Sequence, residues 1–250
     1  MIANYHTHTH WCNHATGKAR DYIKEAVQKG LSTIAITDHV PQRGDYDRYR
    51  MKWGEFDQFN CELDDAIYEY SDKIRIIKGF ECEYYKESLA DYEMFKNEYG
   101  YEIFVLGQHT IGDNKEYDSF FEKDEKLLLM YANDVAEAVS TGIFTFLAHP
   151  DLALNGYTGN GFDKYCERAM RIIFEACEKS NVPVEINANG LRKGLVYPSK
   201  EAFTISKDYK LRYLVNSDCH EPQFLADKYV EKAYKFAEKL GIKPMMEMDI

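Results

Sequence analysis

The sequence contains no apolar run that approaches the roughly 18 residues needed to cross a membrane as a helix. Polar His6 follows Met1–Tyr5 directly, which leaves no room for the apolar core of a secretory signal peptide. We therefore expect a cytoplasmic protein with no membrane partner.

Cysteine is sparse in the sequence. Six cysteines are spread over 250 residues, and no two of them form a Cys-x-x-Cys pair. A disulfide scaffold is shorter and has more closely spaced cysteines. We predict reduced thiols at all six positions, which are Cys12, Cys61, Cys82, Cys166, Cys177 and Cys219.

Positive charge is also in short supply. The chain has 31 Lys and Arg against 42 Asp and Glu, for a net charge of −11. A surface this acidic repels phosphate backbones, so we expect no nucleic-acid partner. Any anionic substrate must be attracted by positive charge close to its site. The sequence makes no prediction of the oligomeric state.

No internal repeat, low-complexity tract or linker divides the chain, so residues 1–250 are predicted to form a single domain. Short apolar runs alternate with amphipathic stretches of helical length, which indicates an α/β fold whose parallel sheet is buried on both faces. Seven such units favour a closed or nearly closed barrel, with an open doubly wound sheet as the alternative. The predicted strands are Ile2–Tyr5, Ser32–Thr37, Ile74–Phe80, Ile103–Leu106, Ile143–Leu147, Pro183–Ile186 and Leu211–Val215. The predicted helices are Arg20–Lys29, Glu55–Tyr70, Ser88–Tyr99, Glu125–Thr141, Phe162–Ser180, Ser199–Tyr209 and Ala226–Leu240.

Six of the eight histidines lie at or just after the end of a predicted strand, and acidic residues occupy similar positions. In a parallel barrel these strand ends meet at one rim, where such folds build their active sites. The remaining two, His10 and His14, lie in the loop after the first strand and can bend over the same rim. The residues predicted at the rim are His6, His8, Asp38, His39, Glu81, His109, His149, Asp218 and His220.

The residue types and their spacing indicate metal binding. His6 and His8 are two residues apart in an extended segment and project to the same side, as do Asp218 and His220. Imidazole nitrogen and carboxylate oxygen are ligands for Zn²⁺, Mn²⁺ or Fe²⁺. With Glu81 and Asp218, the eight histidines supply enough ligands for about two to three divalent ions at about three ligands each. Such ions would attract a phosphate group to an otherwise acidic protein.

Single residues among these admit a second interpretation. His109 alone fits a buried core residue as well as a ligand, and His10 fits a ligand, a substrate contact or a surface residue. We predict that Asp38 orients an imidazole, with a helix cap as the alternative.

The order HTHTH…H, TDH, GFE, GQH, AHP and SDCH resembles the polymerase and histidinol phosphatase (PHP) family of trinuclear metal phosphoesterases over most of the chain. A later segment, EINANGLRKG followed by YPS, is similar to histidinol-phosphate phosphatases. The resemblance implies a distorted seven-stranded, TIM-like barrel of the PHP type with three metal ions. Carried over by position, the ions are held by His6, His8, Glu81 and Asp218, by Glu81, His109 and His149, and by His14, His39 and His220. The chain departs from the family pattern at Asn4, where Asp is usual, and at Gln108.

These observations predict an enzyme that hydrolyses a small-molecule phosphate monoester, with L-histidinol phosphate as the expected substrate. We expect a metal-bridging hydroxide to attack a phosphomonoester bound to the remaining metal positions, with Glu81 and Asp218 among the catalytic residues. Arg192, just past the sixth strand, is predicted to bind phosphate with its guanidinium, the alternative being a surface arginine. His10 or Asp151 is expected to protonate the leaving group.

Loop acids are expected to surround the mouth of the site and to attract the cationic amine of this substrate. These acids are Asp45, Asp47, Glu83 and Glu116.

Three other functions fit the same residues. The first is hydrolysis of another phosphate ester, such as a nucleotide or sugar phosphate. The second is an amidohydrolase, although that class usually has a lysine on the fourth strand and Ile103–Leu106 contains none. The third is a non-catalytic metal-binding module.

Overall fold

A computed structural model describes residues 1–44, 48–112, 117–157 and 161–250. Seven parallel strands form one sheet in the order β1-β2-β3-β4-β7-β8-β9, and the sheet curls into a nearly closed barrel. The predicted seven-stranded α/β barrel is confirmed. The strands of this sheet are β1 Ala3–Asn4, β2 Thr33–Ile36, β3 Arg75–Cys82, β4 Ile103–Leu106, β7 Phe146–Leu147, β8 Val184–Asn187 and β9 Tyr213–Asn216.

Helices surround the sheet and follow most of its strands. They are α1 Ala19–Gln28, α2 Phe56–Tyr70, α3 Leu89–Tyr99, α4 Glu125–Ser140, α5 Leu154–Tyr157, α6 Lys164–Ser180, α7 Ala188–Lys193, α8 Lys200–Ile205 and α9 Lys228–Leu240. No helix in these described ranges is long and apolar enough to cross a membrane. All six cysteines are free, as predicted.

The structure adds elements that the apolar pattern does not show. A two-stranded antiparallel ribbon, β5 Thr110–Ile111 and β6 Tyr117–Asp118, follows the fourth barrel strand. The helix α7 directly follows β8, because Asn187 accepts the Gly190 N–H through its side chain and begins a helix where a loop was expected. The strands β8 and β9 also extend one residue beyond the predicted runs, to Asn187 and Asn216.

Alternate strand residues pack into two separate apolar clusters. In β4, Ile103 and Val105 join a small inner cluster, whereas Phe104 and Leu106 pack in the large cluster that includes the helices. This alternation places one face of each strand inside the barrel and the other under the helices. Met248 from the C-terminal segment joins the inner cluster, and its N–H donates to the Tyr5 hydroxyl at 2.9 Å.

Side-chain amides connect the first strand of the barrel to the last. The Tyr5 N–H donates to Asn216 Oδ1 at 2.9 Å, and the Ser217 N–H donates to Asn4 Oδ1 at 2.8 Å. The Asn4 amide nitrogen in turn donates to the His6 carbonyl at 3.0 Å. We call this contact the seam. At Asn4, where the family usually has Asp, an aspartate could accept the Ser217 N–H but could not donate to the His6 carbonyl.

The seam generates a prediction about stability. Replacing Asn4 by Ala leaves the buried Ser217 N–H without its acceptor, so we expect Asn4→Ala to lower the free energy of unfolding by about 1–3 kcal/mol in urea denaturation. Asn133→Ala is the matched control, because Asn133 is exposed on α4 and bonds only within its helix. Equal losses in the two variants would contradict the assigned importance of the seam.

Candidate metal centre

The carboxylate of Glu81 lies at the centre of a cluster of imidazoles at the carboxyl ends of the strands. Its Oε2 is 3.1 Å from His8 Nε2 and 3.2 Å from His39 Nδ1, and its Oε1 is 3.0 Å from His149 Nε2. His6 Nε2 and His109 Nε2 are slightly farther from it, at 3.4 and 3.7 Å. One carboxylate therefore faces five imidazoles.

Asp218 provides a second carboxylate near His8. Its Oδ1 lies 3.4 Å from His8 Nε2 and 3.6 Å from His220 Nδ1. Its other oxygen, Oδ2, accepts bonds from Asn187 and Asn189 at 3.0 and 3.2 Å. The two asparagines thus hold the carboxylate with Oδ1 turned towards the imidazoles.

His14 completes the cluster from the loop after β1. Its Nε2 is 2.9 Å from His220 Nε2, and its ring stacks on that of His39 with centroids 5.6 Å apart. The structure therefore brings together all nine predicted ligands, which are His6, His8, His14, His39, Glu81, His109, His149, Asp218 and His220.

Small groups of donor atoms in this cluster have the spacing of metal ligands. His6, His8 and Glu81 form one such group, and His39, Glu81 and His109 form another, with donor atoms within 4.8 Å of one another. His39 therefore groups with Glu81, whereas the family resemblance implies a site shared with His14 and His220. The mixture of nitrogen and carboxylate oxygen donors suits a divalent metal ion.

Carboxylates and a backbone carbonyl contact the Nδ1 atoms of three of these imidazoles. Glu185 Oε1 is 2.9 Å from His6 Nδ1, and Glu83 Oε1 is 3.0 Å from His109 Nδ1. The Cys12 carbonyl is 2.7 Å from His14 Nδ1. Such contacts orient a ring and leave its other nitrogen free to bind a metal.

Glu185 is a functional residue that was not predicted from the sequence, and the position predicted for Glu83 is wrong. Glu185 is fully buried in β8, where it also accepts the His149 N–H at 3.0 Å. Glu83 is 1% exposed and bound to His109, so it is not an acid of the outer rim. A charged residue inside an apolar strand needs a buried partner, and this signal marks Glu185 in the sequence. The other loop acids, Asp45, Asp47 and Glu116, lie outside the described residues.

Two of the clustered residues have left-handed backbones. The φ angles are +26° at His149 and +43° at Asp218, in a region that residues other than glycine seldom adopt. Such strain persists only where surrounding contacts enforce it, and it concentrates at functional sites.

Burial and neighbouring charges shift the pKa values of the cluster in both directions. Burial lowers the pKa of His6 and His109, but neighbouring carboxylates outweigh this and raise the pKa of His6 well above its usual value and that of His109 to about 9, so these rings must lose a proton to bind a metal. Burial alone raises the pKa of Glu81, but the imidazoles of His39, His6 and His109 hold this pKa well below its usual value. Burial raises the pKa of Asp218 likewise, and His6 and His8 outweigh that effect. Burial also lowers the pKa of His39 well below its usual value. The carboxylates are therefore ionised, and the His39 ring is neutral.

Arg192 is not turned towards the cluster, which is a correction to its predicted role. Its Nε and Nη2 donate to the two Asp227 carboxylate oxygens at 3.1 Å. Its Nη1 donates to Asn189 Oδ1 at 3.1 Å and to the Ser217 carbonyl at 3.2 Å, and Nη2 also donates to the Phe224 carbonyl. With its donors engaged in this way, the guanidinium braces the loop before Asp218, and a phosphate contact has no support in the structure.

Asp38 differs from its prediction, and the two candidate proton donors, Asp151 and His10, have different surroundings. Asp38 accepts the Thr9 N–H at 2.7 Å and the Thr9 hydroxyl at 2.8 Å, so it neither orients an imidazole nor caps a helix. Asp151 is buried and accepts the Ser199 N–H at 2.5 Å. His10 is half-buried, and its ring lies beside Trp11 with centroids 5.0 Å apart rather than within the cluster.

A model described as the PHP domain matches residues 4–189. The chain belongs to this family. A histidinol-phosphatase of Bacillus subtilis is 21% identical over 250 residues, covering 86% of this chain and 92% of the relative. A protein of Deinococcus radiodurans named "Probable histidinol-phosphatase" is 24% identical over 230 residues, covering 88% and 87% of the two chains.

Solved structures of other PHP proteins share this fold. The crystal structure of histidinol phosphate phosphatase from Lactococcus lactis, complexed with Zn, L-histidinol and phosphate, superimposes with a TM-score of 0.74 at 17% identity. The match covers 98% of this chain and 95% of that one. At this identity the similarity establishes the fold of this PHP protein.

The position of Glu81 depends on a glycine in the next strand connection of this PHP barrel. A Cβ placed on Gly107, just after β4, would overlap Glu81 Oε1 and lie 2.6 Å from Glu81 Cδ. Real Cβ atoms do not approach this closely, so a larger residue must displace the carboxylate.

We therefore expect Gly107→Ala to reduce bound divalent metal, measured by elemental analysis of purified protein, while the barrel still folds. Gly54→Ala is the control, because a Cβ at Gly54 has nothing within 4 Å and the backbone is unstrained. Normal metal content in Gly107→Ala would show that metal binding does not depend on the present position of the Glu81 carboxylate.

Proposed function

We propose that this PHP protein is a metal-dependent phosphomonoesterase that hydrolyses L-histidinol phosphate to histidinol and phosphate, a step of histidine biosynthesis. The observation that carries the proposal is the convergence of nine imidazole and carboxylate side chains around Glu81. The names of the relatives from Bacillus and Deinococcus, and the histidinol and phosphate in the Lactococcus structure, support the choice of substrate.

The proposed ligands are the nine clustered residues, and about two to three divalent ions, Zn²⁺, Mn²⁺ or Fe²⁺, fit their number and type. Bound ions supply an activated water and neutralise the negative charge that develops during phosphoryl transfer. The zinc in the Lactococcus structure supports a divalent metal in this chain as well.

The residues of the chain have distinct roles in this proposal. Glu81 belongs to two groups of possible ligands, one with His6 and His8 and one with His39 and His109. Asp218 presents one oxygen to the site because Asn187 and Asn189 occupy the other. We propose His10 as the proton donor to the leaving group, since its half-buried ring lies in the loop between His8 and His14, whereas Asp151 is buried.

We also propose that residues 1–250 act as one phosphoesterase domain in the cytoplasm on a small-molecule substrate. The absence of a nucleic-acid partner stays a prediction.

A Glu81 variant tests the proposed centre directly. Glu81→Gln keeps the shape of the side chain and removes its charge, so we expect loss of bound metal and a fall in kcat well beyond tenfold. Chelation of the wild-type protein should abolish hydrolysis of histidinol phosphate. Glu175→Gln, at an exposed position on α6, is the control.

The substrate is tested with a panel of phosphomonoesters, phosphodiesters and amides on metal-loaded protein. A preference for histidinol phosphate is expected. A preference for nucleotide or sugar phosphates would transfer the proposal to another ester, and activity on amides alone would identify an amidohydrolase. Metal-loaded protein inactive on every member of the panel would overturn the proposed function.

A variant of Arg192 distinguishes two roles for this residue, which are to hold the residues around Asp218 in place and to bind the phosphate of the substrate. Because its guanidinium holds Asn189 and the Ser217 carbonyl, we expect Arg192→Ala to lower kcat by about tenfold or more at saturating metal. The inhibition constant of inorganic phosphate should stay within about twofold of wild type. Arg171→Ala, an exposed arginine paired with Glu167 and Asp208, is the control.

A weakening of phosphate inhibition in Arg192→Ala that parallels the fall in kcat/KM would instead restore Arg192 as a phosphate ligand. In that case the Arg192 guanidinium would have to release Asn189 and the Ser217 carbonyl in order to bind the phosphate of the substrate.

A further inference from the structure

Arg50 is a buried cation beside the metal centre that the proposed reaction does not use. It lies in the connection between β2 and α2 and is only 5% exposed. Burying a guanidinium is costly unless charged and polar groups bind it, so its partners indicate what it does.

Within the part of the chain that the structure describes, Arg50 contacts three segments that each carry a residue of the cluster. Its Nη1 donates to the Val40 carbonyl at 3.3 Å, next to His39. Its Nη2 lies 3.5 Å from Glu83 Oε1, the atom that also contacts the His109 ring.

The third contact of Arg50 is made by its backbone. The Arg50 carbonyl accepts the Asn13 side-chain N–H at 2.8 Å, and Asn13 precedes His14. Arg50 therefore touches the neighbours of His14 and His39 and the carboxylate that binds His109.

Glu83 is the strongest link in this arrangement. It is 1% exposed, and its Oε2 accepts the backbone N–H of His109 at 3.0 Å while Oε1 contacts the His109 Nδ1. Oε2 also accepts bonds from the Thr110 N–H and hydroxyl. A carboxylate buried this completely is held more firmly when a buried cation lies beside it.

We propose that Arg50 is a positioning residue that binds the Val40 carbonyl and Glu83 at once and thereby sets His39 and His109 on either side of Glu81 to receive one metal ion. This inference rests on the proposed metal centre and extends it to a residue that touches neither metal nor substrate. The planar guanidinium suits the task because one group reaches two acceptors in different directions.

The test compares Arg50→Met, which removes the charge and the donors, with Arg50→Lys, which keeps the charge on a single nitrogen. Each protein is stripped of metal, titrated with Co²⁺ and monitored by visible absorption and elemental analysis. We expect Arg50→Met to bind about one ion fewer per chain than wild type, and Arg50→Lys to restore part of the difference. Arg43→Met is the matched control, since Arg43 is exposed and its ion pair with Asp91 lies away from the cluster.

Kinetics and thermal unfolding separate positioning from simple stability. A positioning role predicts a fall in kcat of about tenfold or more with a smaller change in KM, in Arg50→Lys protein that is folded at the assay temperature. The proposal is overturned if both Arg50 variants bind as much Co²⁺ as the Arg43→Met control. It is equally overturned if they lose only melting temperature while metal content and kcat stay at the wild-type values.

Because the Co²⁺ titration needs no substrate, its result is independent of which ester the enzyme hydrolyses. An inactive wild-type protein that binds its full complement of Co²⁺ would refute the proposed function and leave the test of Arg50 valid.

Discussion

The buried carboxylate of Glu81 is the feature on which the rest of the site depends. An ionised carboxylate with 2% exposure is stable only among groups that offset its charge, and five imidazoles lie within 3.7 Å of it. Those imidazoles come from four strand ends, because His6 and His8 both follow β1. Offsetting the one charge of Glu81 therefore brings most of the barrel rim together. The rim is therefore arranged around the negatively charged Glu81 carboxylate, which favours the binding of cations.

A further set of residues keeps this arrangement in place. Glu185 bonds to His6 and to the His149 backbone, while Asn187 and Asn189 fix Asp218. Gly107 leaves the space that the Glu81 side chain occupies. Each of these residues restricts the direction in which a ligand atom points, which is how protein metal sites gain affinity and geometry.

The barrel and the convergence of the histidines at one rim could both be predicted from the sequence, because both follow from periodicity. A parallel barrel places every strand end at one rim, so histidines at strand ends must converge, and the structure brings them together. The contacts of Arg192, Glu83 and Asp38 could not be predicted in this way. Each depends on which loop folds back over which strand, and on acceptors such as the Ser217 carbonyl or Asp227 that no local pattern connects to them. The signal that was available and overlooked is Glu185, an acid within an apolar strand.

The seam has a consequence for the relation between metal binding and folding. The strand β1 leads into His6 and His8, and β9 leads into Asp218 and His220, so ligands lie on both sides of the junction that Asn4 and Asn216 close. An ion held by His8 and Asp218 would therefore link the first strand of the barrel to the last. Metal binding and closure of the barrel are then thermodynamically linked. A change that weakens the junction lowers the affinity for the ion, and a bound ion stabilises the closed barrel.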